Sequence, residues 1–255
     1  VGPVFAPVIG SLLLQVLDWR GIFVTLTVIG VLILVMGLMF SESLPKNQRT
    51  RDNILPTIGH LTWVLKSKPF VLFLLTMAMF NLPFMAYIAV GSYIYINAFG
   101  LSELGYSAFF AVGAVAGSVG PFIWLFVQNY MSAKTFTTVL LAVSVAAGFA
   151  LMAFGGISEY TFCGLFLLFI LAESCARPYS TNILLNQHDG ETGAASSVIN
   201  FTHTVFGCFG MLLAVLPWPN YMFGVGAIIV ISTAIAFVFW AFILKGTVVV
   251  RGLND

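Results

Sequence analysis

Residues 171–182 read LAESCARPYSTN, with an acid and a base, Glu173 and Arg177, four positions apart just after the apolar run FCGLFLLFILA. Opposite charges in such a setting can do one of three things. The carboxylate faces a cavity, where it binds a cation or carries a proton. Alternatively, the two charges form a permanent pair that lets both survive in an apolar medium. Or the arginine extends to an aqueous interface and leaves the carboxylate to the cavity. The i,i+4 spacing sets both on one helix face, acid before base, the better order for a pair. His203 is the second titratable group within an apolar run, with Asn200 one turn before it and Gly207 one turn after. It reads as a proton relay or as a histidine bonded to a neighbouring helix. Asn81, beside Pro83, reads as a ligand contact or as glue between helices. Tyr87, Tyr93 and Phe84 offer aromatic faces to a cation. Phe is so frequent, at 25 residues, that this aromatic lining carries little weight.

Enzyme signatures are missing: the sequence holds no HExxH, GxSxG or CxxC and no paired-Asp metal pattern. The histidines, His60, His188 and His203, fall on three different segments. No metal or cofactor is implied. Cys163, Cys175 and Cys208 all lie in apolar stretches and read as small buried hydrophobes.

The elements that must position these groups follow from composition. Hydrophobic residues make up 60% of the 255 and charged ones 7%, against roughly 25% charged in an ordinary soluble domain. The mean hydropathy is +1.04. Too few polar residues remain to build a water-facing shell, so the expected solvent is a lipid bilayer. The net charge of +1 gives no reason to expect nucleic acid as a partner. A spanning helix takes about 20 apolar residues. Eight stretches qualify: 1–17, 21–41, 70–96, 104–128, 136–155, 160–183, 194–215 and 221–244. The third contains Pro83 and is expected to kink or tilt. In the sixth, Glu173 falls within roughly 3 Å of the midplane and Arg177 roughly 8 Å from it, towards the cytoplasmic side. If the helices alternate, Lys46, Arg49, Arg51, Lys66, Lys68, Lys134, Lys245 and Arg251 share one side, and Arg20 alone lies on the other. That bias marks the basic side as cytoplasmic. The longest loop, 41–68, carries Ile54, Ile58, Leu61 and Leu65 at helical spacing, with Trp63 nearby. It reads as an amphipathic helix on the membrane surface or as a solvated linker. GAVAGSVGP, Gly113 to Pro121, has G-x-x-x-G spacing, which favours close helix packing.

Two stretches are more specific. GPVFAPVIG, Gly2 to Gly10, lies in the first helix, and DWRGIF, Asp18 to Phe23, opens the second. Together they resemble the major facilitator superfamily, and within it the drug:proton antiporters of the Bcr/CflA type. In that family the first motif lies on the fifth of twelve helices and W-R-x-x-F opens the sixth. YINAFGLSELGYSAFF and GETGAASSVINF resemble later parts of the family more weakly. The fold class expected is therefore all-α integral membrane: a major facilitator fold fragment of about eight transmembrane helices, the fifth to the twelfth. The chain lacks an initiator Met and opens on VGPVFAPVIGSLLL, already apolar, as a chain beginning inside a membrane helix would.

The resemblance divides the chain into the last two helices of an N-terminal bundle (1–41), a central cytoplasmic loop (42–69), a six-helix C-terminal bundle (70–244) and a cytoplasmic tail (245–255). It implies proton-coupled efflux of hydrophobic, often cationic compounds from a bacterial inner membrane. The partners implied are the bilayer, substrate and protons, and the missing N-terminal helices. Within the first motif, Gly2 and Gly10 permit close helix approach, while Pro3 and Pro7 each remove a backbone donor and bend the helix. The family assigns this stretch to the contact between halves, where it limits proton leak. Trp19 and Arg20 carry the second motif. Ser11 stands where the family usually has another Gly, and QNYMSAKTF keeps only Lys134 of the family's basic loop signature. The helix holding Glu173 would be the tenth, a cavity-lining one. Other substrates on the same fold (sugars, amino acids or polyamines) and a non-transporting membrane scaffold remain open alternatives.

Overall fold

The computed structural model describes residues 9, 10, 13, 16–40, 61–187, 192–246 and 248–253. Seven of its helices are long and apolar enough to cross a membrane. They are α1 (Trp19–Leu38), α2 (Lys68–Ser92), α3 (Glu103–Val127), α4 (Ala133–Phe154), α5 (Glu159–Leu185), α6 (Thr192–Ala214) and α7 (Tyr221–Leu244). They agree with the second to eighth expected spans to within a few residues. Most of the first expected span and most of the 41–68 loop lie outside the described residues. So do Gly2, Pro3, Pro7, His60 and His188. Of that loop the structure describes the end, where residues 61–65 are helical.

Five of the described spans, α1, α3, α4, α5 and α7, start by the same device. A Ser, Asp or Asn side chain accepts a hydrogen bond from the backbone N–H three residues on, satisfying a donor the helix leaves open. Ser102 caps α3 through Gly105 at 3.1 Å, and Ser158 caps α5 through Thr161 at 3.1 Å. Asn220 caps α7 through Phe223 at 2.7 Å. Asp18 does the same for α1, accepting from Gly21 at 2.9 Å. The DWRGIF motif completes that start locally. The Arg20 guanidinium lies 4.3 Å from the centre of the Trp19 ring and 3.9 Å from Asp18, and Trp19 meets Phe23 edge-on at 6.2 Å.

The third span departs from expectation at its end. Its α-helix stops at Ser92 and continues as a π-turn, Tyr93–Ala98, in which the Phe99 N–H reaches back to the carbonyl of Ile94. Gly100, at φ 73°, then ends it in the left-handed region that glycine adopts without strain. Pro83, Pro121 and Pro178 each sit inside a helix that continues past them.

The helices α2 to α7 pack as one bundle. The chief contacts join α2 with α6 and α7, α4 with α7 and α5, and α3 with α5. Its core is aromatic: Phe70, Phe73, Phe162, Phe169, Tyr179 and Trp240 are wholly or almost wholly buried. Tyr179 ties one end together. Its hydroxyl donates to the Ala133 carbonyl at 3.0 Å and lies 2.8 Å from the Thr137 hydroxyl, while its ring packs on Trp124 at 4.5 Å. The segment after α7 folds back on the same end. The Gln187 side chain donates to the Arg251 carbonyl at 2.9 Å and accepts from its N–H at 3.2 Å, and Val250 and Leu253 are buried. By contrast, α1 buries no residue at all.

Candidate functional site

Glu173 sits one residue past the centre of the 27-residue α5, as the sequence reading expected. It faces a cavity of about 720 Å³ walled by α2, α3 and α5, within the 300–1,000 Å³ typical of small-molecule sites. The lining is mostly apolar and aromatic. Phe84, Tyr87 and Ile88 come from α2, and Phe110 with the glycine face of α3 comes from the other side. From α5, the residues at 170, 173, 174, 177, 178, 181, 182 and 185 line it, a continuous helical stripe.

Close packing brings that stripe to the cavity wall. A side chain at Gly120 would overlap the Ser174 hydroxyl and stand 2.6 Å from the Ser174 backbone. Cys175 donates its thiol to the Gly120 carbonyl at 3.2 Å across the same crossing. Gly113 and Gly117 meet Ile170 and also line the cavity. The G-x-x-x-G stretch is thus the surface on which α3 and α5 cross, immediately beside Glu173.

The permanent pair between Glu173 and Arg177 is absent from this geometry. Among the described residues the ion pair recorded is the exposed Asp18–Arg20 contact, and neither the Glu173 carboxylate nor the Arg177 guanidinium has a hydrogen-bond partner. Glu173 is buried, 7% exposed, whereas Arg177 is exposed. Both residues line the cavity, and the four-residue spacing does not bring the carboxylate and guanidinium within ion-pair distance.

Arg177 also lines a second, smaller cavity of about 160 Å³ between α2, α5 and α6, with Asn81, Met85, His203, Thr204 and Cys208. Asn81 donates to the His203 backbone carbonyl at 2.5 Å, joining α2 to α6. The imidazole nitrogens of His203 and the Oδ1 of Asn81 are buried and find no partner among the described residues. Leaving such a group unpaired costs about 1–3 kcal/mol.

Other sequence candidates fall elsewhere. Asn200 is exposed and bonds back to Ser196 on its own helix at 2.9 Å, outside both cavities. Tyr93 is half exposed, opens the π-turn and packs 5.9 Å from Tyr221, so it lines neither cavity. Among the described residues nothing lies within 4 Å of a side chain placed at Gly10, and Arg20 is held locally as above. Sequence reasoning missed Ser118, Ser174, Thr181 and Asn182, all cavity-lining. Extending the Glu173 face by three- and four-residue steps finds the three on α5; Ser118, on another helix, has no such signal.

Comparison with known proteins agrees with this architecture. The sequence profile of the Major Facilitator Superfamily matches residues 1–211. An uncharacterized MFS-type transporter of Bacillus subtilis (strain 168), YdgK, is 30% identical over 126 residues, covering 48% of this chain. That alignment spans 31% of the relative's length. Seven membrane-length helices among the described residues and a profile match over most of the chain identify it as a multi-pass membrane protein that belongs to the Major Facilitator Superfamily.

Proposed function

We propose that the chain is part of a secondary active transporter that exports hydrophobic, often cationic small molecules in exchange for protons by alternating access. The observation that carries this reading is the Glu173 carboxylate, unpaired at the middle of a membrane-length helix and facing a largely apolar 720 Å³ cavity. A carboxylate there attracts a cation and accepts a proton, and the two events compete for the same oxygens. Competition of that kind is what exchange requires. Phe84, Tyr87 and Phe110 supply flat apolar faces for the body of the cargo.

The GPVFAPVIG and DWRGIF resemblance to Bcr/CflA antiporters supports proton exchange and a bacterial inner-membrane setting with the basic loops cytoplasmic. On that resemblance, α1 closes an N-terminal bundle, α2–α7 form the C-terminal bundle, and the two rock about a midplane site. The protein's partners are then lipid, cargo and protons, and its work involves no enzymatic conversion.

The test is export of a fluorescent lipophilic cation from cells expressing the natural protein, with and without a proton gradient. Export that collapses with the gradient, and falls at least tenfold in Glu173→Gln, is the expected result. Export unchanged in that variant would sink the role given to Glu173. Arg177 lines the same cavity unpaired and favours a second reading, export of zwitterionic amino acids. Efflux of a radiolabelled amino acid in place of the cation would select it.

A further inference from the structure

The smaller cavity is not needed by the reading above, yet it is built from polar groups. Asn81 and His203 are 3% and 5% exposed. Three of their polar atoms, Asn81 Oδ1 and both imidazole nitrogens, lack partners among the described residues. The two residues line a 160 Å³ pocket, to which Arg177 also contributes as it does to the large cavity, and the three atoms lie buried just behind its surface. A water molecule's share of liquid volume is about 30 Å³, so the pocket has room for a group of several heavy atoms.

The chemistry of the wall selects what fits. One N–H of the Asn81 amide is committed to the His203 carbonyl, and Asn81 Oδ1 is an acceptor without a partner among the described residues. A neutral imidazole offers one donor and one acceptor, and Arg177 offers only donors. A cationic group would meet the Arg177 guanidinium. An anionic group would meet Asn81 Oδ1. A neutral group that both donates and accepts satisfies all three. Met85 and Met211 also line the pocket, and such unbranched thioether chains shift with little cost, which opens the buried atoms to an entering group.

We propose that this pocket is a polar subsite that takes a hydroxyl or carboxamide group of the transported molecule, while the large cavity takes its apolar body. The proposal rests on the transport reading only in making that group part of the cargo.

Cys208 is an exposed thiol on the same pocket, and Cys163 and Cys175 are buried, so its alkylation reports occupancy. The experiment follows N-ethylmaleimide labelling of Cys208 by mass spectrometry in the purified natural protein. Benzamide, benzyl alcohol and toluene are compared at equal concentration. Benzamide and benzyl alcohol are expected to slow labelling at least threefold and toluene to leave it unchanged. The protection is expected to be lost in Asn81→Leu and His203→Leu. It is expected to persist in His203→Gln, which keeps a donor and an acceptor and guards against reading misfolding as lost binding. Equal protection by toluene, no protection by any of the three, or protection undiminished in both leucine variants would overturn the subsite and leave the pocket to water. Because the probes are neutral, the outcomes separate. Protection without cation export rejects only the transport reading, and export without protection rejects only the subsite.

Discussion

Glu173 and Arg177 stand in the spacing that favours an ion pair, and they do not form one. This has an energetic consequence. Breaking a buried pair by removing one partner costs about 3–5 kcal/mol, because the other charge is left uncompensated. Here the two charges make no direct contact, so Glu173→Gln and Arg177→Met are each expected to lower stability by less than that, by about 1 kcal/mol, with nearly additive effects in the double variant. Thermal unfolding of the purified protein in detergent checks this; a loss near the paired value in either single variant, with non-additivity in the double, would restore the pair. At this scale Glu173 was legible because a charge in an apolar run has few explanations. Its freedom from Arg177 was not legible, since i,i+4 spacing permits contact without requiring it. Nor could the sequence show that Asn81 uses its nitrogen on a backbone carbonyl and strands its oxygen, because that depends on α2 meeting α6.

Spans of about 20 apolar residues declared the helices, and the bilayer leaves little else for them to be. Their ends were less legible: the π-turn after Ser92 follows no apolar periodicity, and it displaced Tyr93 from the cavity lining expected of it. Which helices meet was hidden altogether, for G-x-x-x-G names one surface of a crossing and never its partner. The partner of Gly113–Gly120 is Ile170 to Cys175, the stretch that carries Glu173. The site therefore depends on this crossing as much as on its own side chains. Gly120→Val would push α3 away from the Ser174 backbone, 2.6 Å from where its Cβ must sit. Overpacking of this kind costs about 1–3 kcal/mol. Loss of lipophilic-cation binding should exceed that of Glu173→Gln plus the stability change alone, because the whole Glu173 stripe moves. Equilibrium binding of the fluorescent cation to both variants measures it, and wild-type affinity in Gly120→Val would show that the crossing does not set the site.

Across the whole molecule, burial is divided unevenly. The α2–α7 bundle shares one aromatic core, and the tail residues Val250 and Leu253 close over its basic end through Gln187. Helix α1 contributes no buried residue, and its large apolar side chains, Phe23, Leu32, Met36 and Leu38 among them, lie open. With no water to drive them together, membrane helices associate through packing and hydrogen bonds, and among the described residues α1 has no buried side chain and no hydrogen bond to the bundle. A chain of residues 61–255 should therefore unfold in detergent within a few degrees of the 255-residue chain. Ending the chain at 247 should do more harm, because it strips Val250 and Leu253 from the core and removes both bonds to Gln187. Burying such side chains is worth about 1.5–3 kcal/mol each in water, and the tail lies at the aqueous end, so a loss of about 3 kcal/mol or more is expected. Parallel melting curves of the three chains decide it. A bundle that collapses without residues 1–60 but tolerates the loss of its tail would reverse this assignment of where the stability resides.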